Sequence, residues 1–246
     1  MAEQRLKSTI AILGCGEVGA TLAYTLLQNP ICSEVILVDP KTELLEAQVR
    51  DLADATYGGR AATRIRAGTH RDAGQADIIV ITAGAKQKPG ESRLSLLSRN
   101  LHILSSIFTS MAPLSPHAIL LLVANPVDIL TYFARKLSGL PESQVLGTGT
   151  SLDSARLRGA LAASAHVSPS SIDAYVLGEH GDSQFIAWST ATIGSTPLHL
   201  ALPPGTLTPE FKSQIAEHTR GAAGAIIKAK GCTAYGIGNE IGRAHV

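Results

Sequence analysis

Neither sign of charge is in excess in this sequence: 21 Lys and Arg stand against 20 Asp and Glu, a formal net charge of +1. A polyanion is bound by a basic surface, so the balance speaks against a nucleic-acid partner. Cysteine is scarce. Cys15, Cys32 and Cys232 are odd in number and scattered, with no C-x-x-C pair, which points away from a disulfide framework and from a zinc site. No metal is expected, and a reducing, cytoplasmic setting suits such thiols. Long apolar runs are missing too. Residues 1–7 are polar and mixed in charge, and the apolar stretch after them is too short for a membrane span and wrongly flanked for a signal peptide. No tandem repeat or low-complexity tract interrupts the chain. What remains is an ordinary composition, 45% hydrophobic and 17% charged, in a chain long enough for one large domain or two smaller ones.

The first half alternates short β-branched runs with longer helical stretches. Residues 8–13, 35–38, 78–82 and 118–123 read as strands buried on both faces, with 63–67 a weaker one. Helices are expected at 17–28, 42–53, 94–111 and 127–137. Strand–helix alternation of this kind builds a doubly wound parallel sheet with right-handed crossovers. After about Gly149 the character changes. A small-residue helix is expected at 152–165, strands at 172–177 and 184–193, a Pro-rich loop at 202–208 and a helix at 209–228. The expected division is a first domain at 1–149 and a second, mixed α+β domain at 150–246.

The first expected strand runs into Gly14-Cys15-Gly16-Glu17-Val18-Gly19, and a helix follows. A G-x-G-x-x-G is weak alone, but here strand and helix stand on both sides of it, as a dinucleotide site requires. Gly14 permits the tight turn, Gly16 lets backbone approach a pyrophosphate, and Gly19 lets helix and strand pack closely. The pyrophosphate charge then rests on the helix N-terminus. Asp39 ends the second strand. An acid there accepts both ribose hydroxyls and repels a 2′-phosphate, which selects NAD as the cofactor of a Rossmann fold.

Residues suited to acid–base chemistry lie in the second half. Gly178-Glu179-His180-Gly181-Asp182-Ser183 places a histidine between glycines after a strand. Asp153 and Arg156 are three apart, hence on one helix face. An Asp can fix the tautomer of a neighbouring His and stabilise its cation, and an Arg forks onto a carboxylate. Arg93 closes a polar loop after the strand at 78–82. Tyr132 and Lys136 spell Y-x-x-x-K, the catalytic pair of short-chain dehydrogenases; those enzymes carry a differently spaced glycine motif, so the pair reads as a decoy.

The runs ILGCGEVGA, ITAGAKQKPGESR, VANPVDILTY, GTGTSLDSAR and GEHGDS resemble the lactate/malate dehydrogenase family, in order and in spacing, from residue 8 to about 238. The resemblance implies an NAD-dependent oxidoreductase of small 2-hydroxy acids. It implies that His180 is the acid/base, oriented by Asp153; that Arg156 binds the substrate carboxylate; and that Arg93 closes over the substrate and polarises its carbonyl. Asn125 would hydrogen-bond the reacting oxygen beside a cis bond to Pro126, and Thr233 would line the substrate pocket. Val18, Gly84, Ala85, Ser106, Ala124, Asn125 and Thr148 would contact NAD. The family also suggests a homodimer or homotetramer.

Gln87 bears on the substrate. A malate enzyme must neutralise a second buried carboxylate, and the family places an Arg at this position. A neutral Gln leaves that charge unpaired, which favours pyruvate and lactate. Lys86 and Lys88 flank the site, so longer or more polar 2-keto acids stay open, and a malate or other 2-hydroxyacid dehydrogenase is the alternative. A non-catalytic NAD-binding fragment is the reading from another class, and the joint presence of His180, Asp153, Arg156 and Arg93 argues against it. Members of the family run well beyond this chain, so a C-terminally truncated substrate domain, itself slow or inactive, is expected. The run at 241–246 also matches the translation of a common sequencing adapter.

Overall fold

Alternate residues of the first strands are apolar in both directions, and this places the sheet at the centre of the first unit. The computed structural model describes residues 8–29, 31–57, 63–85 and 92–244. The chain forms two units, residues 1–148 with 234–246, and residues 149–233. In the first, β1 (Thr9–Leu13), α1 (Glu17–Gln28), β2 (Glu34–Val38), α2 (Thr42–Asp54), β3 (Arg64–Ala67), α3 (His70–Gly74) and β4 (Ile78–Ile81) are followed by α4 (Arg93–Met111), β5 (Ile119–Leu122), α5 (Val127–Ser138) and β6 (Val145–Gly147). The sheet order is β3-β2-β1-β4-β5-β6, parallel throughout. Ala11, Leu13, Ile36, Val38, Ile79 and Ile81 point into one core, while Ile10, Ile12, Val35, Leu37 and Val80 point into the other. This two-sided burial is why the strands read as continuous apolar runs. The order reverses between β1 and β4, and the crevice beyond their C-terminal ends is where open α/β sheets bind ligands.

The second unit holds α6 (Ser151–Ala165), β7 (Ile172–Asp173), β8 (Val176–Leu177), β9 (Phe185–Ile186), β10 (Thr192–Ile193), β11 (Thr196–Pro197), α7 (Leu198–Ala201) and α8 (Pro209–Lys230). Its core joins Leu157 and Leu161 of α6 to Ile172, Val176, Leu198 and Ile215. The strand expected at 172–177 is two strands in two sheets, because β7 pairs with β10 and β8 with β9. The strand expected at 184–193 is broken by a 3₁₀ turn, Trp188–Thr190. Two-residue strands are too short to show period-2 alternation, so an apolar run across a corner looks like one strand. Gly194 and Ser195, with φ +55° and +67°, make the tight hairpin between β10 and β11.

The last helix, α9 (Tyr235–Ala244), packs on α1 in the first unit. A Cβ on Gly238 would lie 2.7 Å from Thr21 Cγ2 and 2.9 Å from the Leu22 nitrogen, so the two backbones approach closely there. Ile241 is fully buried. Glycine lowers intrinsic helix propensity, and tertiary packing overrides that preference here. Among the described residues, no helix is long and apolar enough to cross a membrane.

Candidate active site

At the end of β1 the chain turns through Gly14 with φ +106°, and a Cβ there would lie 2.8 Å from the Ala83 nitrogen. Only glycine meets both conditions. A Cβ on Gly19 would fall on the Gly14 carbonyl oxygen, so α1 presses directly on the turn. Gly16 is the opposite case. It is the N-cap of α1, makes no side-chain cap bond, and a Cβ on it would meet nothing within 4 Å. The cradle therefore offers open space in front of a helix N-terminus, which suits a pyrophosphate.

Asp39 lies just after β2 and is held on both oxygens. Oδ2 accepts from the Cys15 N–H at 2.8 Å, and Oδ1 accepts from the Lys41 N–H at 2.9 Å. Each carboxylate oxygen keeps a further lone pair for a ribose hydroxyl. Gln48 of α2 donates to the Cys15 carbonyl at 3.4 Å, a contact no motif announces. The Cys15 thiol is buried, and that burial, with a smaller contribution from the Asp39 charge, pushes its pKa up to about 12. The thiol is thus protonated at neutral pH and packs as a small apolar group. The residues present fit a dinucleotide.

The loops after β4 and β5 lie at the same edge of the sheet. Ala124 is buried, Gly84 is exposed, and Ala85 and Asn125 are half-buried or more exposed. The Asn125–Pro126 bond is cis, and Asn125 Oδ1 accepts from the Val127 N–H at 3.3 Å. Asn100, absent from every motif, bonds Ala85 and Asn125 together. Val18 lies in the first turn of α1, Ser106 on an exposed face of α4, and Thr148 donates its N–H to Leu122 O beyond β6. Gln87, like Lys86 and Lys88, lies outside the described residues; Arg93 begins α4, and its side chain lies outside them too.

In the second unit, Asp153 sits in the first turn of α6 and is 3% exposed. Its Oδ2 is 2.6 Å from His180 Nδ1 and its Oδ1 accepts from Arg156 Nη1 at 3.2 Å. An ionised Asp153 fixes the proton on Nδ1, which leaves Nε2 as the ring position that gains or loses one. The Arg156 cation beside it offsets the buried charge. Two hydroxyl residues of the run GTGTSLDSAR, neither given a role from sequence, hold this arrangement. Thr150 Oγ1 donates to the Val176 carbonyl at 2.6 Å, and Ser154 Oγ accepts from the Val176 N–H at 2.9 Å. They lash the start of α6 to β8. Gly178, with φ +90°, then turns the chain into the His180 loop, where Ser183 Oγ donates to Glu179 Oε2 at 2.8 Å. Thr233 ends this unit, after α8. Tyr132 and Lys136 lie on α5, the ammonium 5.6 Å from the ring centroid, a surface cation–π pair.

Comparison with known proteins places both units. Residues 8–147 match the model of the lactate/malate dehydrogenase NAD binding domain, and residues 150–245 match that family's alpha/beta C-terminal domain. An L-lactate dehydrogenase A of Rhizopus oryzae is 52% identical over 237 residues, covering 95% of this chain and 71% of that protein. An L-lactate dehydrogenase of Pediococcus pentosaceus is 46% identical, covering 95% of this chain and 73% of its own length. Among solved structures, a minor L-lactate dehydrogenase from Enterococcus mundtii in ligand-bound form aligns with a TM-score of 0.91 at 36% identity, covering 96% of this chain and 76% of that one. With its parallel dinucleotide-binding sheet, its glycine cradle and family matches spanning both units, this chain belongs to the lactate/malate dehydrogenase family of NAD-dependent oxidoreductases.

Proposed function

We propose that this protein interconverts L-lactate and pyruvate, as an L-lactate dehydrogenase. The observation that carries the reading is Asp153, buried and bonded at once to His180 at 2.6 Å and to Arg156 at 3.2 Å. One carboxylate thereby sets the ring that moves a proton and the guanidinium that binds the substrate carboxylate. Bound NAD supplies the two-electron acceptor of lactate oxidation. His180 takes the hydroxyl proton of lactate on Nε2, and in the reverse direction it returns that proton to the carbonyl oxygen of pyruvate. The imidazolium so formed is stabilised by Asp153 through Nδ1–H. Arg156 forks onto the carboxylate, Asn125 and Arg93 donate to the reacting oxygen, and Thr233 lines the pocket.

On the cofactor side, Gly14, Gly16 and Gly19 give the pyrophosphate its cradle, and Asp39 accepts the ribose hydroxyls. Val18, Gly84, Ala85, Ser106, Ala124, Asn125 and Thr148 line the rest of the cofactor path. Residues 1–149 act as the cofactor domain and 150–246 as the substrate domain. Gln87 supports pyruvate over oxaloacetate, since it brings no positive charge to a second carboxylate. The protein works in the cytoplasm as a homodimer or homotetramer. The test is product analysis: with NADH and pyruvate, chiral chromatography finds L-lactate, and oxaloacetate is reduced far more slowly. Formation of D-lactate, or faster reduction of oxaloacetate, contradicts the assignment.

A further inference from the structure

The pattern T-x-x-D occurs twice in this sequence, each time at a helix start, and the two copies behave differently. Thr69-His70-Arg71-Asp72 opens α3 and closes a capping box. The Thr69 hydroxyl accepts from the Asp72 N–H at 3.2 Å, and the Asp72 carboxylate accepts from the Thr69 N–H at 2.7 Å. Thr150-Ser151-Leu152-Asp153 opens α6 with the same spacing and with Thr150 again at the N-cap, yet Thr150 makes no side-chain cap bond. Its hydroxyl donates instead to the Val176 carbonyl at 2.6 Å, while Asp153 turns to His180 and Arg156. Capping is the local preference of these residues, so a helix start that gives it up is shaped by what the surrounding fold requires. One turn on, Ser154 is 4% exposed; its Oγ accepts from the Val176 N–H at 2.9 Å and donates to the Thr150 carbonyl at 2.9 Å. Both backbone groups of Val176 are thus taken by hydroxyls of one helical turn. On the opposite edge of β8, the Tyr175 carbonyl accepts from the Ala187 N–H beside β9. The first turn of α6 stands where a second neighbouring strand would.

We infer that Thr150 and Ser154 are positioning residues for proton transfer: their hydroxyls bind β8 to the turn of α6 that carries Asp153, and so set the approach of His180 to that carboxylate. The inference rests on the assignment of His180 and Asp153 to the reaction. Val176 stands four residues before His180, with Gly178 at φ +90° between them, so a loop that leaves from a fixed residue delivers the ring to a fixed carboxylate. Asp153 lies between Thr150 and Ser154 on the same turn, so a shift of β8 against that turn lengthens the 2.6 Å bond from Nδ1. A displacement of about 1 Å in such prealigned groups is enough to cost about 10²-fold in rate. Loss of the Thr150 hydroxyl has a smaller effect than that, because Ser154 Oγ stands 3.5 Å from the same Val176 carbonyl and keeps its bond to the N–H.

Thr150→Val keeps the branched shape and removes the hydroxyl, whereas Thr150→Ser keeps the hydroxyl. Two readouts are taken for each, with Tm and the NADH Kd as controls. One is kcat/KM for pyruvate. The other is the low-field proton NMR resonance of His180 Nδ1–H, identified by its absence in His180→Ala; a proton in a short bond to a carboxylate resonates far downfield and moves upfield as the bond lengthens. Thr150→Val lowers kcat/KM about tenfold, chiefly in kcat, and moves the resonance upfield, and Thr150→Ser brings kcat/KM back to within about threefold of the parent. Combined with Asp153→Asn, Thr150→Val adds less than about twofold to the loss from Asp153→Asn alone, because both changes act on one pair. Ser154→Ala moves both readouts in the same direction, and it carries the test should Thr150→Val not fold. A clamp that serves stability alone lowers Tm, leaves the resonance in place and adds its full loss in the double variant; an unmoved resonance or an additive loss overturns the inference. An unchanged kcat/KM in the folded variants of an active parent overturns it as well. A parent that leaves pyruvate unreduced removes the assigned reaction instead, and the resonance then decides the clamp: moved upfield it supports the clamp, unmoved it overturns it.

Discussion

Replacing Asp153 with asparagine alters one atom and one charge at the centre of the candidate active site. Asp153 Oδ2 lies 2.6 Å from His180 Nδ1, and its Oδ1 lies 3.2 Å from Arg156 Nη1. A hydrogen bond to a charged group is worth about 1.5–3 kcal/mol net. That stabilisation acts on the imidazolium, so its loss falls on the proton-transfer step. At about 1.4 kcal/mol per factor of ten, it slows the reaction by about 10- to 150-fold. The amide must also aim its NH₂ at either the ring or the guanidinium. Aimed at the ring, it favours the tautomer with the proton on Nε2, which takes the loss to the upper end. Arg156 and His180 are 15% and 30% exposed, so water partly compensates them, and the stability cost is about 1–2 kcal/mol rather than that of a fully buried pair. The assay is kcat/KM for pyruvate at saturating NADH, with the NADH Kd as control. The Kd stays within twofold, since among the described residues Asp153 bonds His180 and Arg156, both in the second unit. A folded Asp153→Asn enzyme that keeps kcat/KM within threefold of the parent refutes the reasoning.

Gln87→Arg shifts the kcat/KM ratio of oxaloacetate to pyruvate upward by about 10²-fold or more, because it pairs a carboxylate otherwise left alone; an unchanged ratio rejects Gln87 as the discriminator. Iodoacetamide at about pH 8 modifies Cys232 first, since the pKa of Cys15 is pushed up to about 12 and that of Cys32 to about 11, both chiefly by burial. Peptide mapping that finds Cys15 modified as fast as Cys232 contradicts this. Ser195→Gly relieves a left-handed φ of +67° at the β10–β11 turn and raises stability by about 0.5 kcal/mol, seen as a higher urea midpoint at unchanged slope. Asp72 closes a capping box with Thr69 at the start of α3, and bonds to the Thr69 backbone and hydroxyl hold its carboxyl below the ordinary pKa. Its contribution is therefore present above the unfolded value, about 3.9, and is lost as pH falls through the lower folded value. Asp72→Asn makes the acid-side decline of stability shallower, and an unchanged decline counts against the box.

The parallel sheet was legible because its strands are buried on both faces, so β1, β2, β4 and β5 stand out as unbroken apolar runs between helices. The glycine turn was legible for a different reason: Gly14 needs a positive φ, and Gly19 has no room for a Cβ. The second unit was harder. Its strands are two residues long, and the chain changes sheets between Asp173 and Val176, so alternation never develops. No element was read at 235–244, where glycines lower helix propensity and close packing on α1 supplies the stability of α9. At the candidate site, charged residues in loops and helix turns could be picked out from chemistry and order. Asn100, Thr150 and Ser154 could not, because each acts by bonding a backbone group of a distant element, and such a partner leaves no mark in local sequence. Asn100 lies 25 residues from the carbonyl it holds.

The proposed role of His180 is to move the proton in a pyruvate-specific, NAD-dependent reaction. Its most direct test is the loss of NADH absorbance on adding pyruvate, measured for the parent and for His180→Ala at equal NADH occupancy. Turnover is expected in the parent, with a fall of at least about 10²-fold in the variant and the NADH Kd unchanged. Turnover in His180→Ala within a few-fold of the parent would contradict it.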